Sequence, residues 1–186
     1  MKEFVINILK KLPKTYYYHC VEHSLYVVDK VEEIGLFENC TPDELRLLNA
    51  AALWHDTGFV EVYSNHEEAG CNFAVKNLPS FGFSPIEIEK ICGMIMATKI
   101  PQTTKNKLEE IIWDADLEYL GTDAAERVSN DLFEELRAMD RSLSVEKWNE
   151  IQIAFLEKHH YFTPYCNEKR NPAKLEYLRK LINKRV

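Results

Sequence analysis

The chain has 186 residues, 46% of them hydrophobic and 28% charged, a composition that predicts one globular domain and excludes collagen-like, low-complexity and disordered classes. The formal net charge of -7 disfavours a nucleic acid polymer as partner, because the overall field repels phosphates. The apolar runs are far shorter than the ~20 residues that span a bilayer, and the N-terminal run has no signal-peptide pattern. We therefore expect a cytoplasmic protein without a membrane partner.

Amphipathic periodicity along the whole chain predicts an all-α fold. Two helix starts carry a hydroxyl residue, a proline and a reciprocal glutamate, at Thr41 to Glu44 and at Ser84 to Glu87. A third capping box at Ser64 to Glu67 and an Asn cap at Asn171, followed by a proline, predict two more starts. The predicted helices cover residues 3–11, 17–34, 42–55, 65–78, 85–98, 105–119, 123–139, 144–159 and 172–184, with a long loop over 161–171.

The five cysteines argue against both disulfides and a thiolate zinc site. Their number is odd, and no two of them form a C-x-x-C pair. Any bound metal would therefore need histidine and carboxylate ligands.

Histidines and buried acids are the residues most informative about chemistry. His19 and His23 are four apart, which places them one turn apart on the predicted helix 17–34. His55 and Asp56 end an apolar run that must be buried nearly all round. A charged carboxylate at the end of a buried helix needs a partner, so Asp56 favours a bound cation.

A second buried acid is predicted about sixty residues further along the chain. Asp114 lies three residues from both Ile111 and Leu117, on the face that should be buried, with Asp116 two residues later. Two carboxylates buried together repel each other unless a cation or a proton intervenes, and a divalent ion would satisfy both. Any one of these residues could be a satisfied core histidine or a helix-capping acid, but together they favour a metal site.

This ordered set resembles the HD-domain metal-dependent phosphohydrolases, whose signature is a histidine, a His-Asp pair on the next helix and a distant aspartate. The matching segments are Tyr18 to His23, Ala51 to Gly58 and Asp114 to Gly121. The resemblance implies a compact all-helical bundle of about eight or nine helices. Residues 1–186 would form a single domain, with an HD core at about 16–121 and a helical extension at 122–186.

The resemblance also assigns the ligands of the expected cofactor. His23, His55, Asp56 and Asp114 would hold one divalent ion, whether Mn, Fe, Ni, Co, Zn or Mg. His66 stands where two-metal members of the family carry a further ligand. Thr98 stands where those members have another histidine, which argues against a second metal.

The remaining candidates concern substrate and proton transfer. His19, His66, Lys99 and Arg170, the last with Lys174 nearby, are candidates to contact substrate or phosphate, although cations at helix ends are also common without that role. Phe59 replaces a glutamate that helps to activate water in some related nucleotidases. The general base therefore stays open among Asp56, Glu67 and the metal-activated water itself.

The sequence predicts a phosphohydrolase that acts on a small phosphorylated substrate, a nucleotide or another phosphate ester or anhydride. The oligomeric state and the exact substrate are open. One alternative is a regulatory module that binds metal and nucleotide without turnover, which Phe59 and Thr98 favour. Another is a metal-free helical scaffold, but it would need basic partners for the buried acids, and none is close to them in sequence.

Overall fold

The structure is a computed structural model that describes residues 1–101 and 103–184. Ten α-helices lie in this part of the chain: α1 (Lys2–Leu9), α2 (Val21–Phe37), α3 (Pro42–Trp54), α4 (His66–Asn77), α5 (Pro85–Ala97), α6 (Lys107–Asp116), α7 (Ala125–Met139), α8 (Val145–Lys158), α9 (Pro164–Lys169) and α10 (Asn171–Asn183). Short 3-10 helices occupy Thr57–Val60, Leu78–Phe81 and Glu118–Gly121. No strand occurs in the described residues, which confirms the predicted all-α class.

The helices pack around two apolar clusters. In the first, α2 packs on α3 and α6, while α5 packs on α3 and α4, around fully buried side chains such as Trp54 and Ile91. The second cluster surrounds Trp113 and Leu117 and includes residues of α8 and α10. The end of α6 lies between the two clusters, so its last turn is buried on more than one side.

Two of the three capping boxes predicted from the sequence are confirmed. The Thr41 and Ser84 hydroxyls accept hydrogen bonds from the backbone N–H groups of Glu44 and Glu87, whose side chains accept from the cap residues in return. These motifs are local, so tertiary packing does not have to supply their partners.

The third predicted capping box, at Ser64 to Glu67, was wrong, as were two other local predictions. The chain enters α4 through Asn65 in the left-handed region, at φ 60°, and its side chain makes no capping hydrogen bond. Helix α2 begins only at Val21, so His19 precedes the helix instead of lying one turn from His23 on it. The expected loop over 161–171 contains α9, because Thr163 caps a helix that starts with Pro164.

All five cysteines are free thiols, as the absence of a pairing pattern predicted. None of the described helices has the length and apolarity needed to cross a bilayer.

Candidate metal centre

Three potential metal ligands converge where the first turn of α2 lies close to the end of α3. His23 lies in the first turn of α2, while His55 and Asp56 immediately follow the last residue of α3. One ligand atom from each of the three residues lies within 4.8 Å of the others. All three residues are buried.

The orientation of His55 follows from the end of α3. Its Nδ1 lies 2.8 Å from the Ala52 carbonyl oxygen, and because a carbonyl can only accept, Nδ1 must carry the proton. In the neutral ring Nε2 is then the nitrogen with a free lone pair. A backbone carbonyl that fixes the tautomer in this way is the usual support of a metal-binding histidine.

A fourth potential ligand, and a second carboxylate, lies beside this group. Asp116, the last residue of α6, places Oδ1 2.9 Å from His23 Nε2 and 3.6 Å from His55 Nε2. Asp56 Oδ2 lies 3.6 Å from His23 Nε2. The cluster therefore joins two imidazoles and two carboxylates from three parts of the chain.

The charges in this cluster depend on one another. Burial opposes protonation of His55, but the attraction of Asp56 and Asp116 outweighs it and raises the His55 pKa well above its ordinary value. Burial also opposes ionisation of both acids. The adjacent imidazoles nevertheless lower the pKa values of Asp56 and Asp116 below their ordinary range. A cluster without metal is therefore best satisfied with charged carboxylates and at least one protonated imidazole.

Asp114, the expected fourth ligand, faces a different part of the molecule. Its carboxylate accepts hydrogen bonds from the backbone N–H groups of Phe162 and Thr163 and from the Thr163 hydroxyl, the last at 2.6 Å. Positions two apart on a helix diverge by about 200°, so Asp114 and Asp116 cannot share one target. The geometry therefore favours Asp116 over the predicted Asp114 as the carboxylate beside His23 and His55, and Asp114 anchors the chain before α9.

His19 lies beside the cluster and is held by Glu135 of α7. Its Nδ1 contacts Glu135 Oε1, while the backbone N–H groups of Tyr18 and His19 donate to Glu135 Oε2, both at 3.0 Å. Burial opposes ionisation of Glu135, but the hydrogen bond from His19 lowers its pKa. Sequence reasoning missed Glu135, although an acid between Leu132 and Leu136 on the apolar face of a helix was an available signal.

Phe59, which replaces the expected glutamate, packs against two imidazoles. Its ring stacks on His66 at 3.7 Å between centroids and lies 4.0 Å from the His19 ring. His66 Nδ1 lies 3.3 Å from the Tyr63 carbonyl, and its Nε2 lies 3.8 Å from Asp56 Oδ1. Burial lowers the pKa of His66, which favours its neutral form.

The close packing of α4 against the cluster depends on a glycine. A Cβ atom at Gly58 would lie 1.9 Å from the carbonyl oxygen of His66. Glycine therefore allows the start of α4 to pack directly on the 3-10 turn that follows Asp56. This packing brings Glu67 to the site, where it is buried and its Oε2 has no hydrogen-bond partner among the described residues.

The two predicted phosphate-binding cations have different locations. Lys99 lies at the site, where its Nζ is 2.5 Å from Glu68 Oε1 and 2.9 Å from Asn65 Oδ1. Arg170 instead pairs with the buried Glu118 and donates to the Tyr165 hydroxyl at 3.0 Å. Arg170 therefore lies away from the cluster, where its charge neutralises a buried acid, and this location does not support its predicted contact with phosphate.

Lys174 also lies away from the site. It is buried, and its Nζ donates to the His159 carbonyl oxygen at 2.7 Å. His159 packs with Trp113, Phe155 and Tyr161.

The cluster opens into a cavity of about 510 Å³. Its polar end is lined by His19, His23, Asp56, His66, Glu67, Thr98, Lys99 and Asp116. All of the predicted site residues except His55, Asp114, Arg170 and Lys174 thus line one cavity, and His55 is grouped with His23 and Asp56, which line it.

Of three comparisons with known proteins, the one with solved structures supports this architecture. No protein-family model matches the chain, and no curated protein matches it. Among solved structures, the chain is similar to a predicted HD superfamily hydrolase from an uncultured Thermotogales bacterium. The TM-score is 0.59 at 21% identity, over 98% of this chain and 91% of that one. The chain has the HD-domain fold.

The donor set of this HD-domain cluster fits a divalent cation. His55 Nε2 and Asp56 Oδ2 are buried and lack hydrogen-bond partners among the described residues, although buried polar atoms are normally satisfied. Two imidazole nitrogens and two carboxylate oxygens are typical ligands of Mn, Fe, Co, Ni or Zn. His23, His55, Asp56 and Asp116 are the residues that would hold such an ion.

Proposed function

We propose that this protein is a metal-dependent phosphohydrolase that cleaves a small phosphate ester or anhydride. The observation that carries the proposal is the group of His23, His55 and Asp56, whose buried ligand atoms lie within 4.8 Å of one another beside a cavity of substrate size. The similarity of the fold to that of a predicted HD superfamily hydrolase supports the same reaction class. In this proposal Asp116 completes the ligand set.

The bound ion would supply Lewis acidity, which polarises a phosphoryl oxygen and makes a water molecule more acidic. The water oxygen attacks phosphorus, and the ester P–O bond breaks. Glu67 is the residue that we assign to receive the water proton, because its buried Oε2 lacks another partner and the side chain lines the cavity.

The leaving alcohol needs a proton, and two imidazoles line the same cavity. The Nδ1 atoms of His19 and His66 are engaged with Glu135 and the Tyr63 carbonyl, so their Nε2 atoms are the ones available to substrate. Phe59 packs against both of these rings. Lys99, at the rim, offers a positive charge to the phosphoryl group if it exchanges Glu68 for substrate.

The test is phosphate release from a panel of phosphorylated metabolites with Mn, Co or Ni added. Asp56→Asn should preserve the fold but lower the rate by about two or more orders of magnitude, because an amide holds the ion more weakly. The matched control is Asp43→Asn, an exposed site in the first turn of α3, which should retain full activity. Saturable binding of phosphate compounds without release, with the ion in place, would instead indicate the regulatory module.

A further inference from the structure

The cavity extends well beyond the metal cluster, into a chamber that the C-terminal helices enclose. From the polar end it continues between α7, α8 and α10 and reaches Tyr177. The total volume of about 510 Å³ lies within the range of small-molecule sites. A phosphoryl group and its immediate contacts fill only a small part of that space, so the chamber has room for the rest of a substrate.

The chamber walls are mainly aliphatic and aromatic. Leu132 and Leu136 project from α7, one turn apart, while Trp148, Ile151 and Phe155 project from α8. Ile151 keeps 43% of its surface exposed. An apolar ligand group that displaces water from such side chains binds with a favourable free energy, because apolar surface on both sides is removed from water.

The polar groups at the far end of the chamber already have partners. Gln152 Oε1 accepts from the Ser129 hydroxyl and, at 2.7 Å, from the Tyr177 hydroxyl. Gln152 Nε2 donates to Asn149 Oδ1 at 3.3 Å. A nucleobase carries several donors and acceptors that would need matching protein groups. These polar side chains are engaged with one another, so the chamber suits a hydrocarbon better than a base.

The few positive charges at the polar end also limit how much negative charge a bound ligand can carry. Among the described residues that line the cavity, Lys99 is the one lysine or arginine, and it is paired with Glu68. Di- and triphosphates bring several negative charges and are usually bound by several cationic groups. One lysine, the imidazoles and one metal ion match a single phosphoryl group.

We propose that the substrate is a phosphate monoester of an apolar alcohol, with its phosphoryl group at the metal cluster and its alkyl or aryl part in the chamber between α7, α8 and α10. The proposal rests on the proposed function and adds the substrate class to it. Burial of one methylene group changes affinity by about fourfold. Binding should therefore strengthen as the chain grows, until the chamber is full.

The test compares ethyl, hexyl and decyl phosphate with a nucleoside monophosphate, all below the concentration at which micelles form. Phosphate release is followed for each ester, and binding is measured separately by calorimetry with the matching alkylphosphonates, which are not hydrolysed. We expect kcat/KM and phosphonate affinity to rise at least tenfold from two to ten carbons. A nucleoside monophosphate preferred over decyl phosphate, or an affinity independent of chain length, would overturn the proposal.

Two variants test whether the dependence on chain length arises in the chamber. Leu132→Trp should fill the space and remove the preference for long chains. Ile151→Asn, at a half-exposed position that tolerates polarity, should weaken decylphosphonate binding about tenfold. Val145→Asn is its matched control, because Val145 is exposed on the same helix and outside the cavity lining. Equal effects of the two Asn variants would also overturn the proposal.

The two measurements separate the failure of this proposal from that of the hydrolase assignment. If no ester releases phosphate with any metal, the proposed function fails. Phosphonate binding then still tests whether the chamber binds an alkyl chain. If all esters are cleaved alike and phosphonates bind alike, the hydrolase stands and the apolar substrate class is wrong.

Discussion

Two carboxylates in the last turn of α6 have different partners, and their pKa values shift in opposite directions. Asp116 faces His23 and His55 in the candidate metal cluster, whereas Asp114 accepts hydrogen bonds from the backbone of Phe162 and Thr163 and from the Thr163 hydroxyl. The imidazoles lower the pKa of Asp116, while burial raises the pKa of Asp114 to about 6 despite those hydrogen bonds. Burial of an acid therefore does not identify a ligand, because the partner decides what the charge does.

The largest effect on folding should come from removing the carboxylate of Asp114. Asp114→Ala leaves two backbone N–H groups and one hydroxyl without their acceptor, which should lower the free energy of unfolding by about 3–4 kcal/mol. Urea denaturation measures this change. The control Asp123→Ala alters an exposed acid and should change stability by less than about 0.5 kcal/mol. An unchanged midpoint for Asp114→Ala would contradict the anchoring role.

The two acids should also give pH dependences of opposite sign in metal-free protein. Because the folded pKa of Asp114 is raised to about 6, the folded state holds its proton more tightly, so its contribution to stability falls as pH rises from about 4 to 6. The loss is up to about 3 kcal/mol. Asp116 has a lowered folded pKa, so its contribution is present above its ordinary pKa and is lost as pH falls below about 4.

Denaturation across pH 3 to 7 tests this contrast with two Asn variants. The stability of wild type minus that of Asp114→Asn should fall with rising pH, and wild type minus Asp116→Asn should rise. Slopes of the same sign for both pairs would show that the two environments are not opposed.

A smaller effect is expected at Glu135, which positions His19 from outside the metal cluster. In Glu135→Gln the amide would donate to His19 Nδ1, so the imidazole would adopt its other tautomer and carry the proton on Nε2. We expect metal binding to persist, phosphate release to fall by less than about tenfold and its pH profile to shift. An unchanged pH profile would mean that the contact with Glu135 does not determine the tautomer of His19. Asp131→Asn, on the half-exposed surface of α7, is the control.

Local chemistry explains what could be predicted from the sequence. The capping boxes at Thr41 and Ser84 contain their own partners. His55 and Asp56 follow directly on an apolar run, so their burial was visible in the sequence. Periodicity was enough for the all-α class, because the helices are amphipathic.

The remaining features depend on partners distant in sequence. Asp114 and Asp116 both lie in a helix end that is buried on more than one side, so apolar spacing cannot decide between them. The donors to Asp114 come 48 and 49 residues later in the chain, and the acid that engages Arg170 lies 52 residues before it. The His19 position depended on where α2 begins, and helix starts without a capping hydrogen bond are weakly encoded locally.

The most direct test of the metal centre is the affinity of Mn²⁺ or Co²⁺ for Asp116→Asn and Asp114→Asn, measured side by side with wild type. Wild type and Asp114→Asn should each bind about one ion per chain with dissociation constants within about threefold of each other. Asp116→Asn should bind at least about tenfold more weakly, because it changes a proposed ligand. Unchanged affinity in Asp116→Asn together with loss in Asp114→Asn would contradict the account and restore Asp114 as the ligand.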